Sequence, residues 1–60
     1  MKRLLFVQFN NNGKVYPLAC FTFDEFQLRI EICRKRKYVR YWWKDYNTLH
    51  DLQLDYQKWC

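Results

Sequence analysis

The sequence predicts a small α+β fold with the element order ββαβα, in which a three-stranded antiparallel sheet carries two helices. Three observations support it: an apolar run before an Asn-Asn-Asn-Gly turn, a helix-capping pattern that begins at Thr22, and a second cap at Thr48. The chain has 60 residues, so we expect one domain spanning 1–60. A chain this short buries only about 60% of its unfolded surface. Aromatic residues, 22% of the chain, are therefore expected to supply much of the core.

The central strand is predicted over residues 2–9, where Leu-Leu-Phe-Val is apolar at consecutive positions. Such a run is typical of a strand that is buried on both faces. Asn and Gly at 10–13 tolerate positive φ and predict a turn, after which residues 14–21 return as a second strand. Pro17 has no N–H to donate, so this second strand should lie at an edge of the sheet.

Residues 22–36 combine two competing patterns. Apolar residues alternate with polar ones at 26–33, which favours a strand, and this alternative gives a four-stranded antiparallel meander followed by one helix. Against it, Thr22 and Glu25 match a capping box, and the acidic residues that follow Thr22 suit the positive end of a helix. We therefore predict a helix here.

Such a helix would have two apolar stripes. The stripe predicted to face the sheet consists of Phe23, Phe26, Ile30 and Cys33. Leu28 and Ile32 would form the other stripe, which would need cover from another element or from a partner.

β-Branched and aromatic residues at 38–43 predict the third strand. Because side chains alternate along a strand, two sets are expected on opposite faces: Tyr38, Arg40 and Trp42 on one, and Val39, Tyr41 and Trp43 on the other. A hairpin followed by a right-handed crossover places this strand beside the first, in the order 2-1-3.

Thr48 can cap a final helix, with Asp51 three residues later. The apolar stripe of this helix is predicted to be Leu49, Leu52, Tyr56 and Trp59, and the residues predicted to face away are Asp51, Asp55 and Lys58. The helix could pack at one end of the sheet or on the stripe formed by Leu28 and Ile32.

A partner-binding surface is predicted within residues 34–44, which hold six of the eleven Lys and Arg residues, two of the three Trp residues and no acid. The predicted contact residues are Arg34, Lys35, Arg36, Lys37, Tyr38, Arg40, Trp42 and Lys44. A net charge of +5 favours an acidic partner.

Two kinds of partner fit this surface. Trp, Tyr and Arg are enriched at protein-binding hot spots, so the first hypothesis is a non-enzymatic inhibitor or regulator that occludes an acidic surface of a host protein. By size and composition, small phage or mobile-element proteins of the anti-defence or host-takeover kind are comparable. The alternative is a nucleic-acid-binding accessory or transcriptional regulator that neutralises phosphates and stacks on bases. The sequence has no RRM, KH, helix-turn-helix or zinc-finger signature.

Metal binding and catalysis have little support. The possible ligands are Cys20, Cys33, His50 and Cys60, but their spacing has no C-x₂-C or H-x₃₋₅-H pair. Cys20 and Cys33 are expected to fill the core as small apolar groups. The chain has no serine, and a Cys33–His50 pair would have no orienting third group. We expect no cofactor, no metal and no enzymatic activity.

Nothing in the sequence predicts a membrane segment. The apolar run that begins at Leu4 ends before Gln8, and no stretch approaches the roughly 20 apolar residues of a membrane span. We therefore expect a cytoplasmic protein with reduced thiols. It would be a monomer, or a homodimer joined through Leu28 and Ile32.

Overall fold

The computed structural model describes residues 1–9, 13–36 and 39–59. Its elements are β1 (Arg3–Phe9), β2 (Val15–Cys20), α1 (Phe23–Lys35), β3 (Val39–Asp45) and α2 (Leu49–Lys58). The ββαβα prediction is confirmed, and the four-stranded meander is wrong because Phe23–Lys35 is helical. The turn predicted at 10–13 lies largely outside the described residues.

The sheet has the strand order β2-β1-β3, and both pairings are antiparallel. Leu5 in the middle of β1 is paired with Leu18 of β2 on one side and with Trp43 of β3 on the other. β1 is therefore the central strand, and Pro17 lies on an edge strand, as predicted. The chain reaches β3 through α1, which provides the crossover.

The apolar run of β1 contributes to two cores on opposite faces of the sheet. Leu5 and Val7 pack under α1 with Phe26, Ile30 and Cys33. Leu4 and Phe6 point the other way and pack with Leu52 of α2. Residues 4–7 of β1 are all buried, which explains why apolar and polar residues do not alternate along this part of the strand.

Both helices begin at threonines whose hydroxyl groups cap free backbone amides. Thr22 Oγ1 accepts a hydrogen bond from the amide of Glu25 at 3.2 Å, and the Glu25 carboxylate accepts from the amide of Phe21 at 3.3 Å. Thr48 Oγ1 accepts from the amide of Asp51 at 3.1 Å. Caps of this kind contribute about 1 kcal/mol each, and the two predicted helix starts are confirmed.

Three details of the helices differ from the predictions. Phe23 is exposed, because Phe26 already packs beneath Arg3 at the start of β1 and Phe23 lies one helical turn beyond that point. Asp55 does not simply face away, since it accepts a hydrogen bond from the Tyr46 hydroxyl. Leu49 and Trp59 remain partly exposed, because α2 inserts only Leu52 fully into the core.

α2 packs in neither of the two predicted places, the end of the sheet and the stripe formed by Leu28 and Ile32. α2 packs on Leu4 and Phe6, so it covers the sheet face opposite α1. Leu28 and Ile32 consequently receive no cover from it and are 61% and 50% exposed.

Candidate partner-binding surface

Three residues of β3 project from the same face of the sheet. Arg40, Trp42 and Lys44 are paired in register with Gln8, Phe6 and Leu4 of β1, and this is the face on which α2 packs. All three side chains are exposed. We refer to Arg40, Trp42 and Lys44 as the β3 strip. Arg40 and Trp42 share a face as predicted, while Tyr38 lies outside the described residues.

Trp42 is held by two aromatic neighbours. Its ring stacks on Phe6, with centroids 5.7 Å apart and an interplanar angle of 18°, and it meets Trp59 edge-on at 6.4 Å. Phe6 and Trp59 also contact each other at 5.3 Å. The Trp42 side chain nevertheless remains 37% exposed. Packing therefore restrains the indole from two sides, although the residue remains exposed to solvent.

Among the described residues, the two cations of the β3 strip have no carboxylate partner within ion-pair distance. Within residues 1–9, 13–36 and 39–59, the one ion pair joins Arg3 to Asp45. The Lys44 ammonium lies 5.4 Å from the centre of the Tyr46 ring. Arg40 and Lys44 are thus exposed cations that take part in no ion pair within the described part of the chain.

The other described basic residues of the predicted surface lie at the end of α1. Arg34 and Lys35 are exposed in the last turn, where cations complement the helix dipole. The amide of Arg36 donates to the Cys33 carbonyl at 3.2 Å, and its guanidinium lies 5.6 Å from the Phe9 ring centre. Lys37, like Tyr38, lies outside the described residues.

The structure therefore divides the predicted surface between the two sides of the sheet. Arg36 contacts Phe9, whose side chain alternates with Gln8 and so points to the α1 face, whereas Arg40 belongs to the α2 face. Both lie at the same end of the sheet, because Phe9 and Gln8 are the last residues of β1. This end is cationic on both faces, although its charges do not form one flat patch.

The opposite end of the sheet collects acidic groups. Asp24 and Glu25 occupy the first turn of α1, and Asp45 ends β3 beside Arg3. The hydrogen bond from Arg3 lowers the pKa of Asp45 below its ordinary value. Charge is therefore only partly separated along the strands: Arg34, Lys35, Arg36 and Arg40 lie toward the Phe9 end, while Arg3 and Lys44 lie among the acidic groups at the other end.

Two residues that support the site were not predicted from sequence. Phe6 contacts Trp42 because the β1·β3 register places them opposite each other, and Trp59 reaches Trp42 from the end of α2. Trp59 did fall on the predicted apolar stripe of the last helix. However, only the packing of α2 on this face of the sheet shows what that stripe contacts.

The residues considered for metal binding are not brought together. Cys20 and Cys33 are buried in the core under α1, as predicted, and burial raises the pKa of each thiol. His50 is exposed on α2, on the other side of the sheet, so it does not meet Cys33. Among the described residues, no three His, Cys, Asp or Glu side chains cluster in a way that could hold a metal ion. Cys60 lies outside this part of the chain.

Neither described helix has the length and apolar character needed to cross a bilayer. No known protein family matches the chain, and no curated protein or solved structure shows significant similarity to it.

Proposed function

We propose that this chain is a non-enzymatic inhibitor or regulator that binds and occludes an acidic surface of another protein. The observation that supports this most is the β3 strip, where a packed tryptophan lies between two cations that form no ion pair with any described carboxylate. Trp and Arg are the residue types most enriched at binding hot spots.

The rigidity of Trp42 supports a binding role. A side chain that must be ordered on association loses on the order of 0.5–1.5 kcal/mol of conformational freedom. Phe6 and Trp59 already hold the Trp42 ring in the unbound protein. Trp42 therefore loses less conformational freedom when a partner packs against its exposed part.

The distribution of charge supports an acidic partner. Arg40 lies at the cationic end of the sheet, to which Arg34, Lys35 and Arg36 also contribute. A field of this kind accelerates encounter with an oppositely charged surface and disfavours basic partners. Association should accordingly slow as ionic strength increases.

The aromatic geometry favours protein over nucleic acid as the partner. Proteins that bind single-stranded nucleic acid stack successive bases on open aromatic faces. Trp42 already stacks on Phe6 and meets Trp59 edge-on, so less of its ring remains for a base. An exposed indole between two cations fits a surface that combines carboxylates with apolar groups.

The proposal can be tested by fluorescence anisotropy with two labelled probes of equal charge, a poly-glutamate peptide and a single-stranded oligonucleotide. We expect the peptide to bind, and Arg40→Ala combined with Lys44→Ala to weaken it at least roughly tenfold. Lys14→Ala is the matched control for Lys44→Ala. Each lysine lies near a tyrosine ring, Lys44 at 5.4 Å from Tyr46 and Lys14 at 5.9 Å from Tyr16, but Lys14 is at the opposite edge of the sheet.

Two results would contradict the proposal. One is binding of the oligonucleotide with no binding of the peptide, which would favour the nucleic-acid alternative. The other is an equal loss of peptide affinity in Lys44→Ala and Lys14→Ala, which would show that total charge, and not the β3 strip, determines binding.

A further inference from the structure

We propose that the acidic partner contributes an extended segment that pairs with the free edge of β3 and becomes a fourth strand of the sheet. This inference rests on the proposed function, and it specifies how the partner is held. Strand addition uses backbone hydrogen bonds for affinity and alternate side chains for specificity.

The outer edge of β3 is open to pairing. β3 is paired with β1 on one side only, and it runs for seven residues without a proline. In the part of the chain that the structure describes, the side-chain hydrogen bonds of Arg3, Gln8, Arg29 and Tyr46 go to groups other than the backbone of residues 39–45. Its outward amide and carbonyl groups are therefore available to another strand.

The edge formed by β2 is closed by comparison. Pro17 has no amide hydrogen to offer in the middle of this strand. Two residues later, Arg29 of α1 donates from Nη1 to the Ala19 carbonyl at 2.7 Å. The two edges of the sheet differ, and the contrast singles out β3 as the edge that can accept a partner.

The residues on the two faces of β3 determine which side chains an added strand should carry. On the α2 face it would meet Arg40, Trp42 and Lys44. On the α1 face it would lie beside a groove of about 190 Å³ whose lining includes Phe23, Tyr41 and Trp43. Because side chains alternate along a strand, the segment should carry Asp or Glu on one face and apolar residues on the other.

Charge argues against a second copy of this chain as the occupant. If two β3 strands paired antiparallel about Trp42, Arg40 of one copy would lie opposite Lys44 of the other. Like charges directly opposite each other destabilise a strand pair. An acidic segment places carboxylates at the same positions and removes this repulsion.

The test uses a capped peptide of alternating Glu and Val, seven residues long to match β3. Two further versions carry N-methyl groups, either on all the Glu residues or on all the Val residues. In a paired strand, alternate amides point toward the neighbouring strand and the others point away. We expect one methylated version to bind at least roughly tenfold more weakly and the other to bind nearly as well as the parent peptide. Amide exchange of β3 should slow on binding, while that of β2 should not change.

The outcomes separate the two proposals. If both methylated peptides bind like the parent while Arg40→Ala still weakens binding, strand addition is wrong and the proposed function stands. If both methylated versions lose affinity equally, strand addition is also wrong, because pairing requires one set of amides only. If no acidic peptide binds at low salt, both proposals fail.

Discussion

The guanidinium of Arg3 donates two hydrogen bonds to the carboxylate of Asp45, 2.6 Å from Nε and 3.1 Å from Nη2. The two residues are paired in the β1·β3 ladder. The same guanidinium lies 4.4 Å from the centre of the Phe26 ring. The Arg3 side chain thus links the start of β1 to the end of β3 and to helix α1.

Replacing Arg3 should therefore cost more stability than replacing Asp45. Arg3→Ala removes the ion pair and the contact with Phe26, and we expect a loss of about 1–2 kcal/mol. Asp45→Asn removes the ion pair but leaves the contact between Arg3 and Phe26, and it should cost about 0.5 kcal/mol. Urea unfolding monitored by tryptophan fluorescence measures both, with Arg3→Lys as a variant that keeps the charge. Equal losses of stability in Arg3→Ala and Asp45→Asn would show that the contact between the guanidinium and Phe26 does not stabilise the fold.

The stabilisation of the fold by Asp45 should decrease as pH falls. Its pKa is lowered in the folded state because Arg3 donates hydrogen bonds to it. The contribution of Asp45 to the free energy of unfolding is therefore fully present above its pKa in the unfolded chain, about 4. It is lost as pH falls through the lower pKa of the folded state. The free energy of unfolding of wild type should approach that of Asp45→Asn in acid. A constant difference from neutral pH down to about pH 2 would contradict this prediction.

Trp42 should affect both folding and binding, and two substitutions separate these effects. Trp42→Ala removes the contacts with Phe6 and Trp59, and should lower the free energy of unfolding by about 2 kcal/mol. Trp42→Phe keeps a ring that can stack on Phe6 and should recover most of this stability. It should still weaken poly-glutamate binding, because the larger indole surface is lost. Full affinity in Trp42→Phe would argue against the indole as a contact.

Tyr46 links the end of β3 to α2 through its hydrogen bond to Asp55. Burial and the nearby carboxylate raise the pKa of Tyr46, so its hydroxyl should ionise at higher pH than an exposed tyrosine. The stabilisation is complete below about pH 10, the ordinary value, and is lost as pH rises through the folded value.

Tyr46→Phe should accordingly cost about 1–2 kcal/mol at neutral pH. An absorbance titration of the folded protein should lose its highest-pH transition in this variant, with Tyr16→Phe as an exposed control. If every tyrosine of the wild type titrates together near the ordinary value, the hydrogen bond does not persist in solution.

Leu52 is the residue that anchors α2. It is 3% exposed and packs with Leu4 and Phe6, whereas Leu54 on the same helix is 49% exposed. Leu52→Ala should therefore cost about 2–4 kcal/mol, and Leu54→Ala well under 1 kcal/mol. Thermal unfolding by circular dichroism compares the pair directly. Similar losses at the two positions would mean that α2 packs on the sheet through a different face.

Local patterns were enough to predict the order of the elements. The cap at Thr22 outweighed the strand-like alternation that follows it, because caps satisfy backbone donors that only a helix leaves free. Thr48 indicated the start of the last helix in the same way. Pro17 and the uninterrupted apolar run of β1 were enough to predict which strand lies at an edge and which lies at the centre.

The surroundings of the site depend on contacts between distant segments, which sequence patterns do not contain. Trp42 could be placed on a strand face from the alternation of side chains. Its contacts with Phe6 and Trp59 follow from the register of β3 and from the face that α2 covers. The role of Arg3 likewise depends on Asp45 being its partner in the ladder, 42 positions along the chain.

The apolar run of β1 has a consequence for how the sheet is aligned. A shift by one residue normally exchanges apolar and polar faces, and this penalty selects the correct pairing. In β1 the shift would only exchange Leu4 and Phe6 with Leu5 and Val7, so hydrophobicity discriminates weakly. Alignment then depends on polar contacts near the two ends: Arg3 with Asp45, and the Gln8 side-chain amide, which donates to the Gly13 carbonyl at 2.9 Å. These exposed and part-buried hydrogen bonds, modest in energy, therefore add to the stacking of Phe6 on Trp42 in favouring the observed register over a shift by one residue.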